Sequence, residues 1–287
     1  MKADNALSHR KEEPESGVLY IVGTPIGNLN DLSFRAINIL KNVSLIACED
    51  TRQTAKLMNN FKIKNQLISF NKENSFKKSQ FLINEIKANK SIALVSDAGM
   101  PGICDPGEDL IRSSKLNGID IICIPGPCAA ITALVSSGLP SSSFIFEGFL
   151  PKKEIERKKI LLNISTNEKT TVLFESPHRL KKLLCELKVY CGEEREIQVS
   201  RELTKKYEEH IGNNVNKVLE HFAEKQVIGE ITIVIKGIDE KNDSDFDRSS
   251  LKKELHELVN AGLKLSAAAK YLAKKNDLTK SLIYNLY

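Results

Sequence analysis

The stretch IALVSDAGMPGICDPGE, Ile92–Glu108, decides the fold. Ile92–Ser96 is a short, unbroken apolar run, which predicts a strand covered on both faces. Asp97–Gly107 then holds three glycines, two prolines and two carboxylates. A loop of that composition is costly to keep unless it shapes a pocket, although a purely structural role would use the same residues. Asp105-Pro106-Gly107-Glu108 reads as a helix start, with an N-cap, a proline at the first helical position and a capping-box glutamate. A helix is therefore predicted over Asp105–Leu116. Gly102 to Gly107 has P-loop spacing, but Glu108 stands where lysine is required, and Asp105 adds to the repulsion of a polyphosphate. An aspartate at a strand end suits ribose hydroxyls or a positively charged ligand.

The same alternation extends both ways. Further strands are predicted at Val18–Val22, Val43–Cys48, Ile119–Ile124 and Phe144–Glu147, and helices at Leu32–Leu40, Thr51–Phe61, Phe76–Lys90 and Ala129–Ser137. Near-continuous apolar strands alternating with amphipathic helices imply a parallel sheet with both faces covered. After a break at Gly148–Lys153, strands are predicted at Thr171–Glu175, Glu196–Ser200 and Glu230–Ile235, and helices at Pro177–Tyr190 and Val215–Lys225. Ser176-Pro177 opens the first of these helices as Asp105-Pro106 does. The expected organisation is an N-terminal segment 1–16, an α/β domain 17–148 with a mainly parallel sheet, and a second α/β domain 149–238. An acidic linker 239–250 and a helical module 251–287 follow. Within that linker, Asp239–Asp247 carries five acidic residues against one lysine; from Arg248 onward there are eight basic and three acidic residues. Helices are predicted there at Leu251–Ala261, Ala267–Lys275 and Lys280–Tyr287, with Ser266 and Thr279 as N-caps of the last two.

Composition narrows the function. The 287 residues carry 42 basic and 37 acidic side chains, a net charge of +5, which permits an RNA partner without demanding one. Tryptophan is absent and aromatics are 6%, against a general stacking platform for single-stranded nucleic acid. The polar start lacks an apolar signal core. The uncharged run Ile121–Phe146 is broken by three prolines and two glycines, so it reads as strand, helix and strand rather than a membrane span. A cytoplasmic protein is expected. None of the six cysteines forms a C-x-x-C pair, so no metal is expected, and most fall in stretches where a free cysteine acts as a small hydrophobe.

Two more loops follow strands of the first sheet: Gly23-Thr24-Pro25-Ile26-Gly27-Asn28 and Pro125-Gly126-Pro127-Cys128-Ala129-Ala130. Either could be an ordinary turn. Their coincidence with Asp97–Gly107 at one edge of a parallel sheet, where ligands bind, is the stronger signal. Neither is G-x-G-x-x-G, so a nicotinamide site is unsupported. Ala47-Cys48-Glu49-Asp50-Thr51-Arg52 ends a strand with adjacent acids, suited to proton handling or substrate positioning, or to a helix cap with an ion pair. Glu175-Ser176-Pro177-His178-Arg179 and Arg201–Lys206 follow strands of the second domain; Glu202 and Lys205 could pair along a helix. The basic run Lys152–Lys159 and the basic tail could track phosphates or form a solvated face.

Together these segments resemble the tetrapyrrole-methylase-type class of S-adenosylmethionine-dependent methyltransferases. Within it they are most similar to the branch that 2′-O-methylates a cytidine in the decoding region of 16S rRNA. The carriers are GTPIGNLNDLSFRA from Gly23, ACEDTR from Ala47, SDAGMPGICDPG from Ser96, PGPCAAITAL from Pro125, SGLP from Ser137 and FEGFLPKK from Phe146. ESPHR from Glu175, RELTKKYEE from Arg201, GEITIVIKG from Gly229 and the tail from Leu265 continue them. The resemblance implies two α/β domains of that type with a helical module, S-adenosylmethionine as methyl donor in the cleft, and a homodimer. Its partner would be 16S rRNA, within the small ribosomal subunit. Pro25, Asp97, Ala98, Gly99, Met100, Cys128 and Ala129 would contact the donor, with Thr232 on its adenine side. Motif position and charge make Glu49, Asp50 and Glu175 the candidates for proton handling, and Arg52, Lys152, Lys153, Arg179, Arg201 and Lys205 those for holding RNA. Two alternatives remain open: a methyltransferase of the same fold acting on a porphyrin precursor, and a non-catalytic RNA-binding scaffold.

Overall fold

The computed structural model describes residues 13–239, 248–276, 278 and 280–287. The chain divides into two compact units, one ending at Gly237 and one spanning Ile238–Tyr287.

The first unit begins with a wholly parallel sheet of β1 (Val18–Val22), β2 (Leu45–Cys48), β3 (Leu67–Ser69), β4 (Ile92–Val95) and β5 (Asp120–Ile124), in the order β3-β2-β4-β1-β5. Side chains alternate across β1, between β4 and β5. Tyr20 and Val22 pack with Ile39, Leu40 and Met58 of α1 (Phe34–Asn42) and α2 (Thr51–Asn60). Leu19 and Ile21 pack with Leu82, Ile86 and Leu110 of α3 (Ser75–Lys87) and α4 (Glu108–Leu116). Burial on both faces explains why β1, β2 and β4 read as unbroken apolar runs. Local chemistry starts two of these helices: Ser33 accepts from Ala36 N, and Asp50 from Arg52 N.

A mixed sheet follows, in the order β6-β7-β10-β8-β9, from β6 (Phe144–Phe149), β7 (Thr170–Glu175), β8 (Glu196–Arg201), β9 (Glu209–Asn214) and β10 (Ile231–Ile235). Only β6 and β7 are parallel. One face packs Leu173, Val199 and Ile233 against α6 (Glu154–Thr166), α7 (Pro177–Cys191) and α8 (Val215–Ala223). The other carries Val172 and Val234 under Ala130, Ala133 and Leu134 of α5 (Ala129–Ser137). The chain therefore passes to the second sheet at α5 and β6, ahead of the division expected after residue 148.

Several expectations are corrected. The helix expected from Asp105 starts at Glu108, because Gly107, at φ 149°, holds the preceding loop out of helical geometry; no side chain caps it. Ser176 does precede Pro177 at the helix start, but makes no side-chain cap. The run Lys152–Lys159 enters α6, where Glu154 pairs with Lys158 at 2.8 Å and Arg157 turns inward, 4% exposed. Strands β3 and β9 were not expected; β9, EHIGNN, is a polar edge strand. Cys104, Cys123 and Cys185 are exposed rather than packed, and no described cysteine is bridged.

In the second unit, α9 (Arg248–Asn260), α10 (Leu265–Asn276) and α11 (Lys280–Tyr284) enclose Leu251, Leu255, Ala268, Leu272 and Ile283. Ser266 lies inside the first turn of α10 instead of capping it, and its hydroxyl accepts from Lys280 Nζ at 2.7 Å. The expected cap Thr279, residues 1–12 of the N-terminal segment and residues 240–247 of the acidic linker lie outside the described residues. Among the described residues no helix is long and apolar enough to cross a membrane.

Candidate active site

The strand order makes β4, β1 and β5 neighbours, so the three Gly/Pro loops leave adjacent carboxyl ends. They are knitted together. Thr24 N donates to Gly99 O at 2.9 Å and Gly99 N returns a bond to Thr24 O at 3.1 Å. Gly23 N donates to Ile124 O at 3.2 Å. A Cβ on Gly126 would lie 2.7 Å from Gly23 Cα, so two backbones pass where no side chain fits.

Above this junction lies a cavity of about 430 Å³. Asp97, Ala98, Gly99 and Met100 form one side, with Cys128 and Ala129 at the start of α5. Phe174 and Glu175 of the second sheet and Leu203 of the turn after β8 also line it, and Gly229–Thr232 close the wall. Among the described residues the lining carries four carboxylates, Asp97, Asp105, Glu175 and Glu230, and no lysine, arginine or histidine.

The carboxylates differ. Burial, then Asp105 and Asp97, push the Glu49 carboxyl above its ordinary value. Burial raises Asp105 in the same direction. Asp50 is held at about 2 by hydrogen bonds from Arg52. Its side chain caps α2 and pairs with Arg52 at 2.7 Å, while its N–H donates to Asp97 Oδ1 at 3.0 Å. Glu175 is fully buried. It accepts from Arg179 Nε at 2.6 Å, from Ser176 N at 2.8 Å and from Arg157 Nη1 at 3.4 Å. Arg157 also reaches Glu186 at 2.6 Å.

Several expected RNA-holding cations are turned inward. Arg179 also donates to Leu150 O, and Arg201 pairs with Glu209 at 3.0 Å. Lys205 bridges Glu202 at 2.9 Å and Glu230 at 2.8 Å within a turn, not along a helix. That turn carries Glu202 and Thr204 at φ 54° and 65°, and Thr204 Oγ1 accepts from Asn28 N, tying it to the first glycine loop. Arg52, Lys152 and Lys153 remain at the surface, Lys153 paired with Glu156 at 3.2 Å. Of the expected donor contacts, the cavity brings together Asp97–Met100, Cys128, Ala129 and Thr232; Ile26 rather than Pro25 lines it, and Glu49 does not. Sequence reasoning missed Phe149, Phe174 and Leu203; it placed Ile103, Cys104 and Asp105 in the pocket-shaping loop without naming them as donor contacts. Gly229 before the last strand was the one available signal: at φ 96°, its Cβ would lie 2.5 Å from the Glu202 carboxylate.

The Tetrapyrrole (Corrin/Porphyrin) Methylases match this chain over residues 18–219. A Synechocystis sp. protein named ribosomal RNA small subunit methyltransferase I is 41% identical over 270 residues, 94% of this chain and 97% of its own. A Thermotoga maritima protein of that name is 43% identical over 221 residues, 77% of this chain and 99% of its own. Among solved structures, uroporphyrin-III C-methyl transferase from Thermus thermophilus complexed with S-adenyl homocysteine has a TM-score of 0.53 at 16% identity, covering 76% of this chain and 96% of that one. At that identity the likeness is one of fold.

Proposed function

The chain belongs to the ribosomal RNA small subunit methyltransferase I family within the tetrapyrrole methylases, and from that premise we propose that it methylates small-subunit ribosomal RNA from S-adenosylmethionine, at the 2′-oxygen of a cytidine in the decoding region. One observation carries the reading: at the carboxyl ends of β4, β1 and β5 lies a cavity that presents Asp97 and Asp105, beside the ion-paired Glu175 and Glu230, with no cationic side chain among its described lining residues. Such a lining fits a cation on an apolar frame and repels polyphosphate. S-adenosylmethionine supplies, when bound there, an electrophilic methyl group on a positively charged sulfur.

The chain's own residues do the rest. The Thr24–Gly99 bridge and the Gly23–Gly126 contact hold the cavity floor rigid, so that approach of the acceptor is a matter of position. Asp97 and Asp105 favour the cationic donor over its neutral thioether product. A ribose hydroxyl must lose its proton as the new bond to carbon forms. We assign that proton to Asp105, which lines the cavity and whose burial raises its proton affinity above that of an ordinary carboxylate. Asp50, held down by Arg52, and Glu175, occupied by two guanidinium groups, serve as a cap and an anchor. The same reading takes the enzyme to be a cytoplasmic homodimer whose surface lysines, Lys152 among them, meet the RNA backbone.

The test is transfer of labelled methyl from S-adenosylmethionine to unmodified small ribosomal subunits, with naked 16S rRNA and a porphyrin precursor as parallel acceptors. Label recovered as 2′-O-methylcytidine is expected. Label in the porphyrin alone would replace the RNA reading. Donor binding with no acceptor methylated would sink it in favour of a scaffold.

A further inference from the structure

We propose that the exposed ring of Phe149 is a stacking platform for the base of the nucleotide being methylated, drawn out of its neighbours' stack beside the methyl-donor cavity; this rests on the RNA reading above. The first observation is a register change. In β6, Phe144, Ile145 and Phe146 pair with Thr170, Thr171 and Val172, but the next pairs are Gly148 with Leu173 and Phe149 with Phe174. Glu147 is the extra residue of a β-bulge. In unbroken register Phe149 would stand opposite Glu175, on the face that packs Leu173 against α6 and α7. The bulge returns it to the face of Val172 and Phe174, where the cavity lies. Bulges next to active sites re-aim side chains in this way.

The second observation is how closely the bulge is seated. Gly148 has φ 62°, and a Cβ there would lie 2.9 Å from Cys104 Sγ. Cys104, itself at φ 65°, belongs to the Asp97–Gly107 loop. Glycine thus lets β6 press against the donor loop and sets Phe149 at the cavity wall. Behind the ring is an aromatic row: Phe149 lies 5.6 Å from Phe174, and Phe174 packs edge-on to Phe146 at 5.1 Å. Yet Phe149 is 56% exposed, with the neighbouring Ile103 at 45%.

A held aromatic ring left open to solvent at the mouth of a reaction cavity is a surface for another flat ring. Enzymes that act on one nucleotide of a structured RNA commonly take it out of the stack, and stacking recovers part of that cost. Lys152 and Lys153 follow within four residues, at the surface, where the flanking phosphates would run. Stacking accepts any base, so Phe149 is a positioning element for the ribose and does not choose cytidine. The low aromatic content argues against a long single-strand platform; one base needs one ring.

The chain has no tryptophan, so Phe149→Trp installs its single tryptophan at the platform, excited apart from the six tyrosines. With S-adenosylhomocysteine saturating, its emission is expected to be quenched further on adding an oligocytidylate. In parallel, Phe149→Ala should lower methyl transfer to small subunits roughly 5- to 150-fold, the range of one lost base stack. Phe149→Trp should restore it and Phe149→Leu should not. Urea denaturation should give near wild-type midpoints in all three, which reports folding, and any change in S-adenosylhomocysteine affinity should be much smaller than the change in methyl transfer. Wild-type rates in Phe149→Ala, or restoration by leucine, would overturn the proposal. A parallel loss of S-adenosylhomocysteine affinity would make Phe149 a donor contact and overturn it too. Wild-type enzyme that methylates no RNA would fail earlier and take the RNA reading down with it.

Discussion

Arg52 donates to both oxygens of Asp50, while Glu49, one residue earlier, is partly buried near Asp97 and Asp105. The two acids look equivalent in the sequence, and their surroundings separate them. Asp105 gives this difference a measurable sign. Burial raises its carboxyl, so the folded chain binds that proton more tightly than the unfolded chain. Its favourable contribution is present below the ordinary carboxylate range and is lost as pH rises through the raised value. Asp105→Asn is therefore expected to raise the melting temperature at neutral pH, with the gain vanishing in acid, where Asp105 is itself neutral. Thermal denaturation of both proteins across pH checks this; a lower melting temperature at neutral pH would refute it. Methyl transfer should fall in the same variant, so stability and activity move in opposite directions.

At the scale of elements, loops hold the site. Gly126 and Gly23 pass with no room for a Cβ between their backbones. Gly126→Ala must part the loops after β1 and β5, and overpacking of this kind costs about 1–3 kcal/mol. Urea denaturation should show that loss, and calorimetry a fall in S-adenosylhomocysteine affinity of at least about tenfold, since a 1.4 kcal/mol share of the strain suffices. Unchanged affinity would place the donor elsewhere. The strands flanking these loops were legible because burial on both faces leaves an uninterrupted apolar signature. β9 was not, because an edge strand with alternating exposure and a central glycine carries little hydrophobic pattern. Helix α6 was hidden behind its lysines; that Arg157 among them is a buried anchor depends on Glu175 and Glu186, far along the chain.

At the scale of the molecule, all the residues lining the cavity belong to the unit ending at Gly237, and that unit has its own hydrophobic cores. The Thermotoga maritima relative is matched almost end to end by 221 residues of this chain, so about a quarter of this chain has no counterpart there. A chain ending after Gly237 is thus expected to bind S-adenosylhomocysteine within about twofold of the full protein, a difference near 0.4 kcal/mol. A larger fall would show that Ile238–Tyr287 contributes to the donor site. The helical character of that second unit was readable, since its apolar residues recur at helical spacing; the start of α10 was misplaced by two residues because Ser266 looked like a cap.

The alternation of apolar runs with amphipathic segments was enough to specify a parallel first sheet, and three Gly/Pro loops after its strands were enough to point to the sheet edge where the cavity opens. Both are properties of short stretches, set by burial and by backbone conformation, which a chain displays locally. Tertiary structure alone decided which acids are raised in proton affinity and which are anchors, because Arg157 and Glu175, or Glu49 and the charges of Asp97 and Asp105, come near one another only when the chain closes. It alone decided the direction of Phe149, because one bulged residue exchanges the faces of a strand. A carboxylate's chemistry is fixed by the charges and burial around it, and those neighbours are brought from distant positions by the fold.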